Sequence, residues 1–65
     1  MTIKNFLNKD DMDLLDYISQ GMSNKEIAAI YGVNEMHVKR WVSDLMNRTE
    51  SVNRVVLAVK YILAK

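Results

Sequence analysis

The chain has 65 residues, of which 49% are apolar and 26% charged, with a formal net charge of +1, no cysteine and no proline. That length holds one domain near the lower limit for independent folding, and without cysteine neither disulfides nor thiolate metal sites can staple it. The composition excludes a disordered chain, no run suits a bilayer, and the N-terminus lacks a signal-peptide layout, so residues 1–65 read as one soluble cytoplasmic domain.

Apolar spacing predicts an all-α fold of four helices, over about residues 8–20, 24–31, 35–48 and 52–64, with no strand. Asn8 caps the first helix with Asp11 at capping-box spacing, and Leu7 and Met12 suit a hydrophobic staple. Met12, Leu14, Leu15 and Ile18 give this helix its apolar face, and Gly21 ends it in a left-handed conformation. Its acids are most simply a solvated face favoured by the helix dipole. Ser23 caps the second helix, with Glu26 as its reciprocal partner; Ile27, Ala28, Ile30 and Tyr31 follow, and Gly32 stops it. Small residues at Ala28 and Ala29 would let the next helix approach closely.

Asn34 opens the third helix two residues after that stop. Val38, Val42 and Leu45 form its inward stripe, widened by Trp41, which reads as core. The opposite side carries Met36, Arg40, Ser43 and Asn47, flanked by His37 and Lys39. The fourth helix, capped by Thr49 or Ser51, is apolar nearly all round, and Lys60 is its only charge between Val55 and Ala64. Val55, Val56, Val59, Ile62 and Leu63 make a broad stripe, which Leu57, Ala58, Tyr61 and Ala64 widen. So small a domain cannot bury all of it. One part should close the core and another meet a second copy, so Val55, Val56, Leu57, Val59, Tyr61, Ile62 and Leu63 are the expected dimer interface.

Charge is uneven. Residues 1–22 balance at −2 and residues 23–65 at +3, as one basic face on a near-neutral domain would give. Two helices joined by a glycine-containing turn form a helix-turn-helix unit, in which the first helix props the second outward toward a groove.

The run G-M-S-N-K-E-I-A, Gly21 to Ala28, with Val38-Lys39, Leu45 and Arg54 in register, resembles the LuxR/GerE-type (NarL-like) DNA-binding domain of bacterial transcription regulators. The likeness covers residues 7–63. Asp10 and Asp11, His37, Trp41 and Thr49 depart from the usual family residues. The family domain usually follows a sensing or receiver domain; here the chain reads as a stand-alone version, similar to the short spore-regulator members. The resemblance implies double-stranded DNA as partner and a homodimer through helix four. The candidate DNA-facing residues are Ser23, Asn24, Lys25, Glu35, Met36, His37, Lys39, Arg40, Ser43, Asn47 and Arg54.

Lys25, beside a helix amino end, suits a phosphate, and Lys39 a backbone or groove contact. Arg40 can read guanine through two parallel hydrogen bonds, or pair with Asp44 one turn on. Met36 can touch a thymine methyl. His37 is the only histidine and fits a polar contact at the groove edge; no metal set converges on it. There is no nucleophile–base–acid set and no phosphate-cradling loop, so the chain reads as a non-enzyme without cofactor or metal. A homodimeric, sequence-specific transcription regulator is the leading function. The rival is an antagonist that uses the same fold to bind a larger LuxR-type regulator or RNA polymerase.

Overall fold

The computed structural model describes residues 7–64, which form four helices: α1 (Lys9–Ser19), α2 (Asn24–Tyr31), α3 (Glu35–Arg48) and α4 (Arg54–Ala64). Lys4 and Lys65, both counted in the charge balance, lie outside the described residues. The first three helices begin where the caps predict. At α1 the Asn8 side chain accepts from the Asp11 N–H at 2.8 Å, and the Asp11 carboxylate accepts from the Asn8 N–H at 3.4 Å. Ser23 and Glu26 make the same reciprocal pair at 3.1 and 2.9 Å, and the Asn34 side chain accepts from the His37 N–H at 2.8 Å. Each satisfies amide groups that the first helical turn leaves open.

The fourth helix departs from expectation. It starts at Arg54, and the residue that caps it is Asn53, whose side chain accepts from the Val56 N–H at 2.9 Å. Thr49 and Ser51 are occupied in closing α3 instead: the Thr49 hydroxyl donates to the Leu45 carbonyl at 2.8 Å and lies 2.7 Å from the Ser51 hydroxyl. The cap is the residue directly before the first helical turn, and with α4 starting at Arg54 that place falls to Asn53.

The helix exits share one device. After α1, Gly21 takes φ 83°, its N–H meeting the Ile18 carbonyl at 3.0 Å and the Met22 N–H the Tyr17 carbonyl at 3.3 Å. α2 ends on Gly32 at φ 68°, with the Val33 N–H on the Ala28 carbonyl at 3.1 Å. α3 ends the same way without glycine: Glu50 has φ 55°, and the Ser51 N–H reaches the Met46 carbonyl at 2.8 Å. A side chain there is strained by about 1–2 kcal/mol, against which glycine loosens the unfolded chain by about 0.5–1 kcal/mol. Glu50→Gly is therefore expected to raise stability by up to about 1 kcal/mol. A thermal melt should show a gain of a few degrees; a lower midpoint would mean that the Glu50 side chain contributes more than its strain costs.

α1 lies along α4, α2 packs chiefly on α3, and α3 also meets α4. Leu14, Leu15 and Ile18 of α1, Ile27 and Ala28 of α2, Val38, Val42 and Leu45 of α3, and Leu57 and Tyr61 of α4 form the core. Of the two alanines expected at the helix crossing, Ala28 is buried and Ala29 is exposed, as is Ile30. Lys60, the one charge on α4, turns its ammonium back to the end of α3 and donates to the Thr49 and Glu50 carbonyls at 2.7 and 2.9 Å. It supplies the cation that a helix carboxyl end favours.

Leu57 and Tyr61 correct one expectation. They are 0% and 5% exposed, so they close the core and do not face a second copy. They lie one helical turn apart on the side of α4 that meets α1 and α3. Val55, Val59, Ile62 and Leu63 stay exposed on α4, with Val52 just before it, and Val56 is half-buried.

Candidate nucleic-acid interface

The α2–α3 unit presents the residues that sequence reasoning selected. Met36, His37, Lys39, Arg40, Ser43 and Asn47 are all exposed along one side of α3, with Glu35 at its start. Ser23, Asn24 and Lys25 stand at the amino end of α2, where unpaired amide groups and the helix dipole favour an anion. Among the described residues, no ion pair holds Lys25, Lys39 or Arg40. Asp44, the alternative partner for Arg40, pairs with Arg48 at 2.8 Å instead. Three cations are thus left open to solvent on one unit, which gives a polyanion something to meet.

Asn24 and Arg54 are differently placed. The Arg54 guanidinium donates to the Asn24 side-chain oxygen and to the Met22 carbonyl, and is half-buried. Burial lowers its pKa from the ordinary arginine value. Both residues belong to the domain's internal bonding as well as to its edge.

What holds α3 outward is a network that the sequence reading missed. Asp11 is 3% exposed rather than part of a solvated face. Arg48 donates to its two carboxylate oxygens at 2.9 and 3.2 Å, and the Trp41 indole N–H donates to it at 2.9 Å. Burial alone would push the Asp11 carboxyl up. The bonds from Arg48, Trp41 and the Asn8 amide, with the Arg48 charge, outweigh it and hold the group below the ordinary carboxylate range. One carboxylate thereby ties the start of α1 to the middle and end of α3. A signal was present: Asp11 precedes Leu14, Leu15 and Ile18 by three, four and seven residues, which places it on their buried face. The other acids behave as expected of a surface, with Asp10 exposed and Asp13 paired to Lys9 at 2.9 Å.

Trp41, half-buried, continues an aromatic row that supports the same helix. Its ring lies 5.3 Å from Tyr31 and 6.4 Å from His37, and Tyr31 lies 5.9 Å from Tyr17, all edge-to-face. Such pairs add stabilisation beyond the area they bury. Among the described residues the enclosed Tyr31 hydroxyl has no hydrogen-bond partner, and burial, with Tyr17 and Asp13 nearby, raises its pKa.

A four-helix domain with an internally braced, outward-facing cationic helix is a helix-turn-helix domain. The family described as "Bacterial regulatory proteins, luxR family" matches residues 5–61, and the chain belongs to it. It is 42% identical over 58 residues to an uncharacterized transcriptional regulatory protein, YhcZ, of Bacillus subtilis (strain 168), covering 85% of this chain and 27% of that protein. It is 36% identical over 55 residues to a probable transcriptional regulator, ycf29, of Pyropia yezoensis, covering 85% and 24%. With the nitrate/nitrite response regulator NarP of Escherichia coli (strain K12) it shares 29% identity over 56 residues, covering 86% and 26%. The chain spans about a quarter of the length of these curated relatives. No solved structure matches it.

Proposed function

We propose that this chain is a sequence-specific DNA-binding module of a transcription regulator, acting in the cytoplasm as a homodimer. The observation that carries this reading is the exposed, unpaired set Lys25, Lys39 and Arg40 on the α2–α3 unit of a luxR-family domain. α3 lies in the major groove. Lys25 and the amino end of α2 hold a phosphate, Lys39 follows the backbone, and Arg40 reads a guanine. Met36, 53% exposed in the first turn of α3, meets a thymine methyl, and His37, Ser43 and Asn47 add polar contacts along the groove. The exposed face of α4 pairs two copies about a two-fold axis, so the site is an inverted repeat with half-sites about one helical turn apart.

Gel-shift titrations over a salt series test this reading. Lys25→Ala is expected to weaken binding to all duplexes alike and to lower the salt slope by about one charge. Arg40→Ala is expected to relax preference at one base position, at a cost of about 1–3 kcal/mol. If the parent binds no duplex at low salt, the antagonist function takes its place, with α4 pairing to a larger relative.

A further inference from the structure

We infer that Arg54 is a positioning residue for DNA binding: its guanidinium fork fixes the amino end of α2 and does not itself hold a phosphate. The inference rests on the DNA-binding function proposed above. Arg54 opens α4, thirty residues from Asn24, and its two acceptors bracket the capping residue Ser23: the Met22 carbonyl on one side, the Asn24 side chain on the other. Helix packing does little of this work, because α2 rests mainly on α3 while α4 rests on α1 and α3. The chain entering α2 turns through Gly21 and is held to α1 by the Met22 N–H on the Tyr17 carbonyl; Arg54 ties the same turn to α4.

The fork matters because a guanidinium holds two acceptors from two separate nitrogens in one rigid plane, whereas an ammonium serves them from a single nitrogen at the end of a flexible stem. Both terminal nitrogens of Arg54 are already bonded, to Asn24 and to the Met22 carbonyl, in a half-buried group; turning the guanidinium to grip a phosphate squarely would strain bonds that are expensive to leave unmade. Lys25, by contrast, is exposed and unpaired, one residue after Asn24. Arg54 thus sets the aim and Lys25 supplies the charge.

The test compares Arg54→Lys, Arg54→Gln, Asn24→Ala and the Arg54→Lys/Asn24→Ala double variant in salt-series titrations on one specific duplex, with folding checked by circular dichroism. Parent binding that steepens with falling salt is the first requirement; its absence overturns the DNA-binding function itself. Given that binding, Arg54→Lys is expected to lose affinity on the order of tenfold although it keeps the charge. The salt slope of Arg54→Gln should stay within half a charge of the parent's, and the double variant should be no weaker than Arg54→Lys. Amide exchange in the free protein should quicken at residues 23–26 in both Arg54 variants. Lysine restoring full affinity, or glutamine lowering the slope by about one, assigns Arg54 to a phosphate and overturns the inference. If the Arg54 variants do not fold, Asn24→Ala decides alone: faster exchange at residues 23–26 in the free protein supports the strut, and parent-like exchange overturns it.

Discussion

Asp11→Ala is expected to destabilise the domain by about 2–4 kcal/mol, where a chain of this size has only about 3–10 kcal/mol in all. The substitution leaves the Trp41 indole N–H and the inner face of the Arg48 guanidinium without their acceptor, and it removes the reciprocal half of the α1 cap. The full penalty of an orphaned buried charge does not apply, because the Arg48 side chain is 37% exposed and keeps Asp44. The same network gives stability a pH dependence of known sign. Burial raises the Asp11 pKa, but the bonds from Arg48, Trp41 and Asn8, with the Arg48 charge, lower it by more, so the net shift is downward. A carboxyl depressed in the folded state stabilises above its unfolded value of about 3.9. That contribution is lost as pH falls through the lower folded value. Glu26, held down by its bonds to Ser23, titrates in the same direction, so the parent-minus-variant difference isolates Asp11. Urea melts followed through Trp41 fluorescence should show that difference large at pH 7 and shrinking toward pH 3. Equal midpoints for parent and variant at pH 7 would remove Asp11 from the account of how α3 is held.

What the sequence made legible was local. Asn8, Ser23 and Asn34 cap through atoms within three residues of themselves, and Gly21 and Gly32 end helices through their own backbone freedom. The inward stripe of α3, Val38, Val42 and Leu45, follows from the 3.6-residue period alone. The exposed side of α3 followed too, because it is whatever that stripe leaves outside. Most of the unread side-chain contacts join distant parts of the chain. Asp11 meets Arg48 from 37 residues away, Arg54 meets Asn24 from 30, and Lys60 reaches back to Thr49. A charged residue on a helix reads as solvated until its partner helix is placed beside it. Helix α4 failed for another reason. Where nearly every position is apolar, periodicity carries no phase, so Leu57 and Tyr61 could not be told from Val59 and Leu63 before packing separated them.

Leu57→Glu is expected to unfold the domain, and Val59→Glu to leave it folded but split a dimer into monomers. The two positions lie two residues apart on α4, on faces with opposite surroundings. Leu57 is 0% exposed among core residues of all four helices, so a carboxylate there is buried without a partner. That substitution costs more than about 4 kcal/mol, enough to exhaust the stability of so small a chain. Val59 is 47% exposed, with Val55, Ile62 and Leu63 one turn away at 71%, 54% and 80%. Together with Ile18, Gly21 and Met22 it borders an open apolar groove of about 290 Å³, whose other walls are Arg54, Val55 and Ala58. An exposed charge in this surface costs the monomer little, within about 0.5 kcal/mol. In the homodimer proposed above, the same charge enters a surface that pairing would dry, and opposes that pairing. Both copies must dock for an inverted repeat to be read, so specific affinity should fall with dimerisation while non-specific, salt-driven binding persists. Circular dichroism should therefore show helix lost in Leu57→Glu and kept in Val59→Glu, and sedimentation should show the parent as a dimer and Val59→Glu as a monomer. A parent that sediments as a monomer at concentrations saturating its DNA would remove the pairing role of α4, and its exposed valines would then need a different partner.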